Sequence, residues 1–143
     1  MTVAAILEKR KDVPAITVPR GMTVREAVAL LAERKIGAVP VMDGDEVAGV
    51  MSERDVIHCL ARDGASMLDW PVEKIMTAPA ITVEPSRTVL GALSLMTSRR
   101  IRHLPVIEGG RLVSVVSIGD LVKHRLDQIE SEAQAMLSYI QTA

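Results

Sequence analysis

The sequence predicts an α/β fold of two β-α-β-β-α repeats followed by an extended C-terminal helix. Sliding the chain by 65 residues lays Pro14–Asp55 on Pro79–Asp120 without a gap, and 17 of the 42 paired positions are identical. Self-similarity of that strength identifies two copies of one unit. Within each copy, β-rich runs alternate with a stripe of apolar residues at helical spacing, and a further stripe runs beyond the second copy.

The elements follow in order. PAITV recurs at Pro14–Val18 and Pro79–Val83, and the runs Ala15–Val18 and Ala80–Val83 are expected as strands. Thr23 and Thr88 then precede the stripes Val24, Ala27, Val28, Leu31 and Val89, Ala92, Leu93, Met96, each an amphipathic helix. Thr23 with Glu26 has the pattern of a capping box, although Gly91 stands at the matching place in copy two. Two β-rich runs around a glycine turn come next, Ala38–Met42 with Glu46–Met51 and His103–Ile107 with Arg111–Val116. Each pair is a hairpin. A second helix begins at Ser52 in copy one and at Ser117 in copy two.

These elements divide the chain into repeat one (1–62), a linker (63–71), repeat two (72–127) and a C-terminal extension (128–143). Gly64, Pro71 and small or polar neighbours mark the linker, and a short helix over Val72–Met76 leads out of it. In the extension, Val122, Leu126, Ile129, Ala133, Met136 and Ile140 follow a 4-3-4-3-4 spacing flanked by charges. Such a stripe either packs on its own domain or pairs with a second subunit.

Composition narrows the function classes. The 143 residues are 48% hydrophobic and 24% charged, which suits a packed interior, and a formal charge of −1 gives no field to attract nucleic acid or an anionic membrane. Trp70 and Tyr139 are the only aromatic rings, too few for a base-stacking surface. Cys59 is the only cysteine, so there is no internal disulfide and no Cys-based metal site; with no signal-peptide pattern or long apolar run, the expected location is the cytoplasm. His58, His103 and His124 match no metal or triad spacing, and catalysis is not expected. The adjacent His58 and Cys59 read as a surface imidazole beside a small buried thiol.

The remaining motif is the strand-to-helix step Gly49-Val50-Met51-Ser52-Glu53-Arg54-Asp55, repeated as Ser114-Val115-Val116-Ser117-Ile118-Gly119-Asp120. A helix start offers unpaired backbone N–H groups that favour an anion. A Ser there can contact phosphate, and an Asp can accept hydrogen bonds from vicinal ribose hydroxyls. The same S-x-x-D spacing is also a capping box, and the residues alone allow both readings.

Taken together, the repeated ITV segment, T-V-x-x-A, I-x-x-x-P-V, the glycine turn and the Ser-x-x-Asp step resemble the cystathionine-β-synthase (CBS) domain, in two tandem copies from about Ile6 to about Leu126. Such a pair is similar to a Bateman module, here of the stand-alone bacterial type with no catalytic domain beside it. The resemblance implies two repeats packed sheet to sheet about a pseudo-twofold axis, with clefts between them for an adenosine ligand such as AMP, ADP, ATP, NAD or S-adenosylmethionine. It assigns ribose and phosphate contacts to Ser52, Asp55, Ser117 and Asp120. It places Thr17 and Thr82 near ribose and phosphate, with backbone around Ile16 and Ile81 at the adenine edge. Ile16, Ile81, Val39 and Leu104 are the aliphatic walls available to a purine in so ring-poor a chain.

The resemblance also implies unequal clefts. Arg102 and His103 precede the Leu-Pro-Val step in copy two and fit phosphate contacts, whereas Gly37 and Ala38 in copy one cannot serve. Arg54, Arg20 and Arg87 are further basic candidates. The expected activity is regulatory: ligand binding shifts the module between arrangements and changes its affinity for an effector protein. Apolar residues on the helices after Ser52 and Ser117, among them Val56, Ile57, Leu60, Leu121, Val122 and Leu126, suggest a homodimer. The alternative is a protein-interaction module with degenerate nucleotide clefts.

Overall fold

The structure is a computed structural model that describes residues 1–10 and 13–142; the last position of the expected extension, residue 143, lies outside it. It opens with a short helix, α1 (Val3–Glu8), and continues with β1 (Val18–Pro19), α2 (Val24–Arg34), β2 (Ala38–Asp43), β3 (Glu46–Ser52) and α3 (Glu53–Asp63). Two 3-10 turns, Ala65–Asp69 and Val72–Lys74, lead to α4 (Val89–Arg99), β4 (His103–Glu108), β5 (Arg111–Ser117) and α5 (Ile118–Thr142). The result is a mixed α/β protein of two related units with a long C-terminal helix.

Each unit repeats the local chemistry of the other. Thr23 Oγ1 accepts from Glu26 N at 3.2 Å and Thr88 Oγ1 from Gly91 N at 2.9 Å, so the same hydroxyl starts α2 and α4. Both helices end on a left-handed residue, Lys35 and Arg100. Their buried positions, Val24, Ala27, Leu31 and Val89, Ala92, Met96, fall on one face. The hairpins are antiparallel, and each has a register shift at the matching place, Val41/Met42 and Val106/Ile107. Gly44 (φ +62°) and Gly109 with Gly110 (φ +59° and +78°) supply the left-handed backbone of the turns.

The expected first strands are mostly outside the ladders. β1 pairs in parallel with β2 only through Val18 and Pro19, and copy two keeps a single bridge from Val83 to Val106. Ala15–Thr17 and Ala80–Thr82 therefore run as connecting segments along the edges of the sheets. Pro14 and Pro79, which head the two segments, lack the backbone N–H that a ladder extended toward the N-terminus would need.

Two hydrophobic cores form, and each borrows from beyond its own repeat. Val3 and Ile6 of α1 are buried with Val83, Val89, Ala92, Met96, Leu104, Val106, Val116 and Leu121 of the second repeat. The first core, around Val18, Val24, Leu31, Val39, Val41 and Met51, takes in Met67 and Val72. Matching backbone bonds fix both lead-ins: Val3 N to Arg87 O at 2.8 Å and Val72 N to Met22 O at 2.8 Å. In space, the segment preceding each repeat is therefore exchanged onto the other. Burying two aliphatic side chains of α1 contributes about 1.5–3 kcal/mol each to holding that exchange.

The stretch 63–71, expected as a linker, is thus part of a core through the fully buried Met67, because a polar connection would leave the first unit open there. The expected helix over Val72–Met76 shortens to a 3-10 turn, since Ile75 and Met76 turn inward against the first core. At the other end α5 runs unbroken for 25 residues. Leu121 is fully buried, but every residue from Ile129 to Thr142 is exposed, so this half of the helix does not pack on its own domain. That free portion is about 21 Å long at 1.5 Å per residue.

Candidate functional site

Strand β3 delivers Ser52 to the start of α3, and β5 delivers Ser117 to the start of α5. At the first step Ser52 N donates to Asp55 Oδ2 at 2.8 Å while Asp55 N donates to Ser52 Oγ at 3.2 Å. The second repeats this closely: Ser117 N to Asp120 Oδ2 at 2.8 Å and Asp120 N to Ser117 Oγ at 3.1 Å. Both motifs are therefore capping boxes, which uses one carboxylate oxygen of each Asp and leaves the other for a donor from outside the motif.

That second oxygen meets the exchanged lead-in segment in both units. Thr77 Oγ1 donates to Asp55 Oδ1 at 3.0 Å, and the Thr77 backbone bridges Val50 in both directions, at 3.0 and 2.9 Å. In the second unit the Arg10 guanidinium pairs with Asp120 Oδ1 and donates to Val115 O at 3.1 Å. Val50 and Val115 are equivalent under the internal repeat. The two sites thus share a plan but differ in charge: a neutral hydroxyl contacts Asp55, and a cation contacts Asp120.

The basic candidates are spread over both repeats. Arg54 Nη1 donates to Arg100 O at 3.3 Å, tying the start of α3 to the end of α4. Arg102 is exposed beside β4. His103 does not stay with its own Ser117 and Asp120 alone: a Cβ built on Gly37 would lie 3.0 Å from His103 Cε1 and 3.7 Å from the Glu53 carboxyl carbon. The absence of a side chain at Gly37 is what admits the imidazole from the other repeat. Burial, reinforced by Arg102, holds His103 below the ordinary histidine pKa, while Glu53 and Asp120 pull it upward.

Thr17 is half-buried and Thr82 exposed on the two connecting segments, and Ile16 and Ile81 are half-buried against their cores. Leu104 and Val39, expected as purine walls, are fully buried and offer no surface in this state, because alternate residues of β4 and β2 must fill the cores. Of the dimer candidates, Leu121 belongs to its own core, whereas Ile57, Leu60, Val122 and Leu126 are exposed. Arg10 and Thr77 are contacts that sequence reasoning missed. They stand outside the repeated motif, and only the exchange of lead-ins brings them to the two Asp residues.

The CBS domain family profile matches residues 9–62 and 72–127. The chain is 38% identical over 124 residues to the mitochondrial CBS domain-containing protein CBSX3 of Arabidopsis thaliana, covering 83% of this chain and 60% of that protein. A solved CBS-domain protein from Burkholderia ambifaria MC40-6 is 43% identical with a TM-score of 0.82, over 89% of this chain and 95% of that one. The CBS domain protein PAE2072 from Pyrobaculum aerophilum, solved in complex with AMP, is 30% identical with a TM-score of 0.73, over 84% and 89% of the two chains. With two matches to the family profile that together span most of the chain, and relatives above 30% identity, the chain belongs to the CBS-domain family and carries two copies in tandem.

Proposed function

We propose that the protein is a regulatory module that binds an adenosine nucleotide, of the AMP, ADP, ATP or NAD class, in the clefts where Asp55 and Asp120 face the opposite lead-in. The observation that carries this reading is the pair of half-buried carboxylates, each with Oδ2 fixed by a cap and Oδ1 already receiving an outside donor. A carboxylate held in that way is preorganised to accept ribose hydroxyls in exchange. The AMP complex of the Pyrobaculum relative supports the ligand class. Ser52, Ser117, Thr17, Thr82, Ile81, Arg54, Arg102 and His103 are the surrounding contacts in this proposal. Leu104 joins only if the second core opens.

The output is a change in partner affinity rather than turnover, in a cytoplasmic setting; among the described residues no helix is long and apolar enough to cross a membrane. The test is a thermal-shift and calorimetric panel of AMP, ADP, ATP, NAD and S-adenosylmethionine. A ligand at 100 times its Kd stabilises by about 2.7 kcal/mol. Failure of the whole panel to bind rejects the reading.

The free half of α5 favours a second, compatible component, a homodimer. Ile129 (46% exposed), Met136 (66%) and Ile140 (64%) leave an apolar stripe in water that another copy of the helix would cover.

A further inference from the structure

We propose that Arg10 makes the second cleft selective for adenosine ligands that carry an anionic group, by occupying Asp120 until a phosphate takes over its guanidinium. This deepens the nucleotide-binding reading and rests on it. Asp120 Oδ2 is committed to Ser117 N at 2.8 Å, so Oδ1 is the oxygen available to an outside donor, and Arg10 occupies it. Arg10 also holds Val115 O at 3.1 Å. Both side chains are about one-quarter to one-third exposed, at 32% for Arg10 and 25% for Asp120. A ribose cannot take full possession of that carboxylate while the guanidinium remains.

The cost of displacement depends on the ligand. In the first cleft the group on Asp55 is the Thr77 hydroxyl, and a ribose hydroxyl replaces it like for like. In the second, a neutral adenosine would separate two opposite charges and leave a half-buried guanidinium that, among the described residues, keeps the Val115 carbonyl as its acceptor. A phosphate-bearing ligand supplies a new anion to which Arg10 can turn, so the charge stays paired. Arg10 cannot withdraw far, because Ile6 anchors the chain four residues earlier in the second core. The cation therefore stays at the cleft as a selector.

The experiment titrates adenosine and AMP by calorimetry into the wild type, Arg10→Ala and Arg10→Gln, with Asp120→Ala identifying the second-cleft signal. Circular dichroism confirms folding, and the Gln variant removes the charge while keeping a polar side chain at this position should the Ala variant unfold. The expected result is that adenosine binding at the second cleft tightens about tenfold without Arg10 and that the preference for AMP over adenosine falls by a similar factor. Unchanged adenosine affinity and an unchanged preference, with AMP still bound, overturn the selector while leaving the nucleotide reading intact. If no form binds either compound, both fall together.

Discussion

Thr77 Oγ1 donates to Asp55 Oδ1 at 3.0 Å, so the lead-in to the second repeat closes on the helix start of the first. The bond joins two elements that the exchange of segments brings together. Removing only the hydroxyl, as in Thr77→Val, is expected to cost about 0.5–1.5 kcal/mol, the net worth of one hydrogen bond. Asp55→Ala loses this bond and the carboxylate half of the capping box, Ser52 N to Asp55 Oδ2, while the Ser52 Oγ cap on the Asp55 N–H remains, and should cost about 1–3 kcal/mol. Urea denaturation of both variants checks the order. Equal losses would mean that the Thr77 contact carries the whole effect and the carboxylate half of the capping box nothing.

The two Asp variants also test the site. If Asp55 and Asp120 contact ribose, replacing each by Ala should weaken the corresponding ligand by about 1.5–3 kcal/mol, the range for hydrogen bonds to a charged group. Thr77→Val, which frees Asp55 Oδ1 without removing it, should leave first-cleft affinity equal or tighter. A calorimetric titration in which Asp55→Ala and Asp120→Ala both bind like the wild type would remove these carboxylates from the ligand site.

Legibility differed between the repeated units and their surroundings. Thr23 and Thr88, the glycine turns and the Ser-x-x-Asp starts all sit where local periodicity and spacing placed them, because each acts within a few residues of itself. The exchange of lead-ins was not legible. Val3 and Val72 are short apolar contributions to distant cores, and nothing within six residues of either reveals which core it enters. For the same reason Arg10 and Thr77 were missed. His103 was found as a candidate, but its neighbours Gly37 and Glu53 depend on how the repeats face each other.

Gly49 illustrates a constraint that acts through that packing. A Cβ there would stand 2.6 Å from the Thr77 carbonyl oxygen, a backbone atom fixed by its bridge to Val50. Gly49→Ala should therefore push the second lead-in off β3 and cost about 1–3 kcal/mol, the range for overpacking. Gly21, with open space around its Cβ direction, is the control and should change stability far less when replaced by Ala. Equal denaturation midpoints for the two variants would contradict the close approach at Gly49.

His103 gives stability a pH dependence of definite sign. Burial lowers its pKa in the folded chain below the ordinary value of 6.5, so the unfolded chain binds the proton more readily. Its contribution is fully present above pH 6.5 and is lost as the pH falls from there through the folded pKa. The denaturant midpoint should decline over that window in the wild type and decline less in His103→Gln. Parallel pH profiles for the two proteins would show that another group carries the dependence.

The free half of α5 offers the most direct test of assembly. Ile129, Met136, Leu137 and Ile140 are between 46% and 66% exposed, and they recur along a helix that begins at the Ser117–Asp120 cap. Water on such a stripe is costly, and in the proposed homodimer a second copy of the same helix would supply the matching surface, with the intervening charges left outside. Light scattering of the wild type at tens of micromolar is expected to give twice the chain mass of 15.5 kDa, that is 2 × 15.5 = 31 kDa. Truncation after Asp127 should weaken the dimer at least tenfold. Because Asp120 lies on the first turn of the same rigid element, a displacement of the helix at the interface reaches the cleft without passing through other side chains. Nucleotide affinity should therefore change in the truncated protein as well. Loss of the dimer with unchanged affinity would make α5 an interface with no part in the switch; retention of both would remove it from either function.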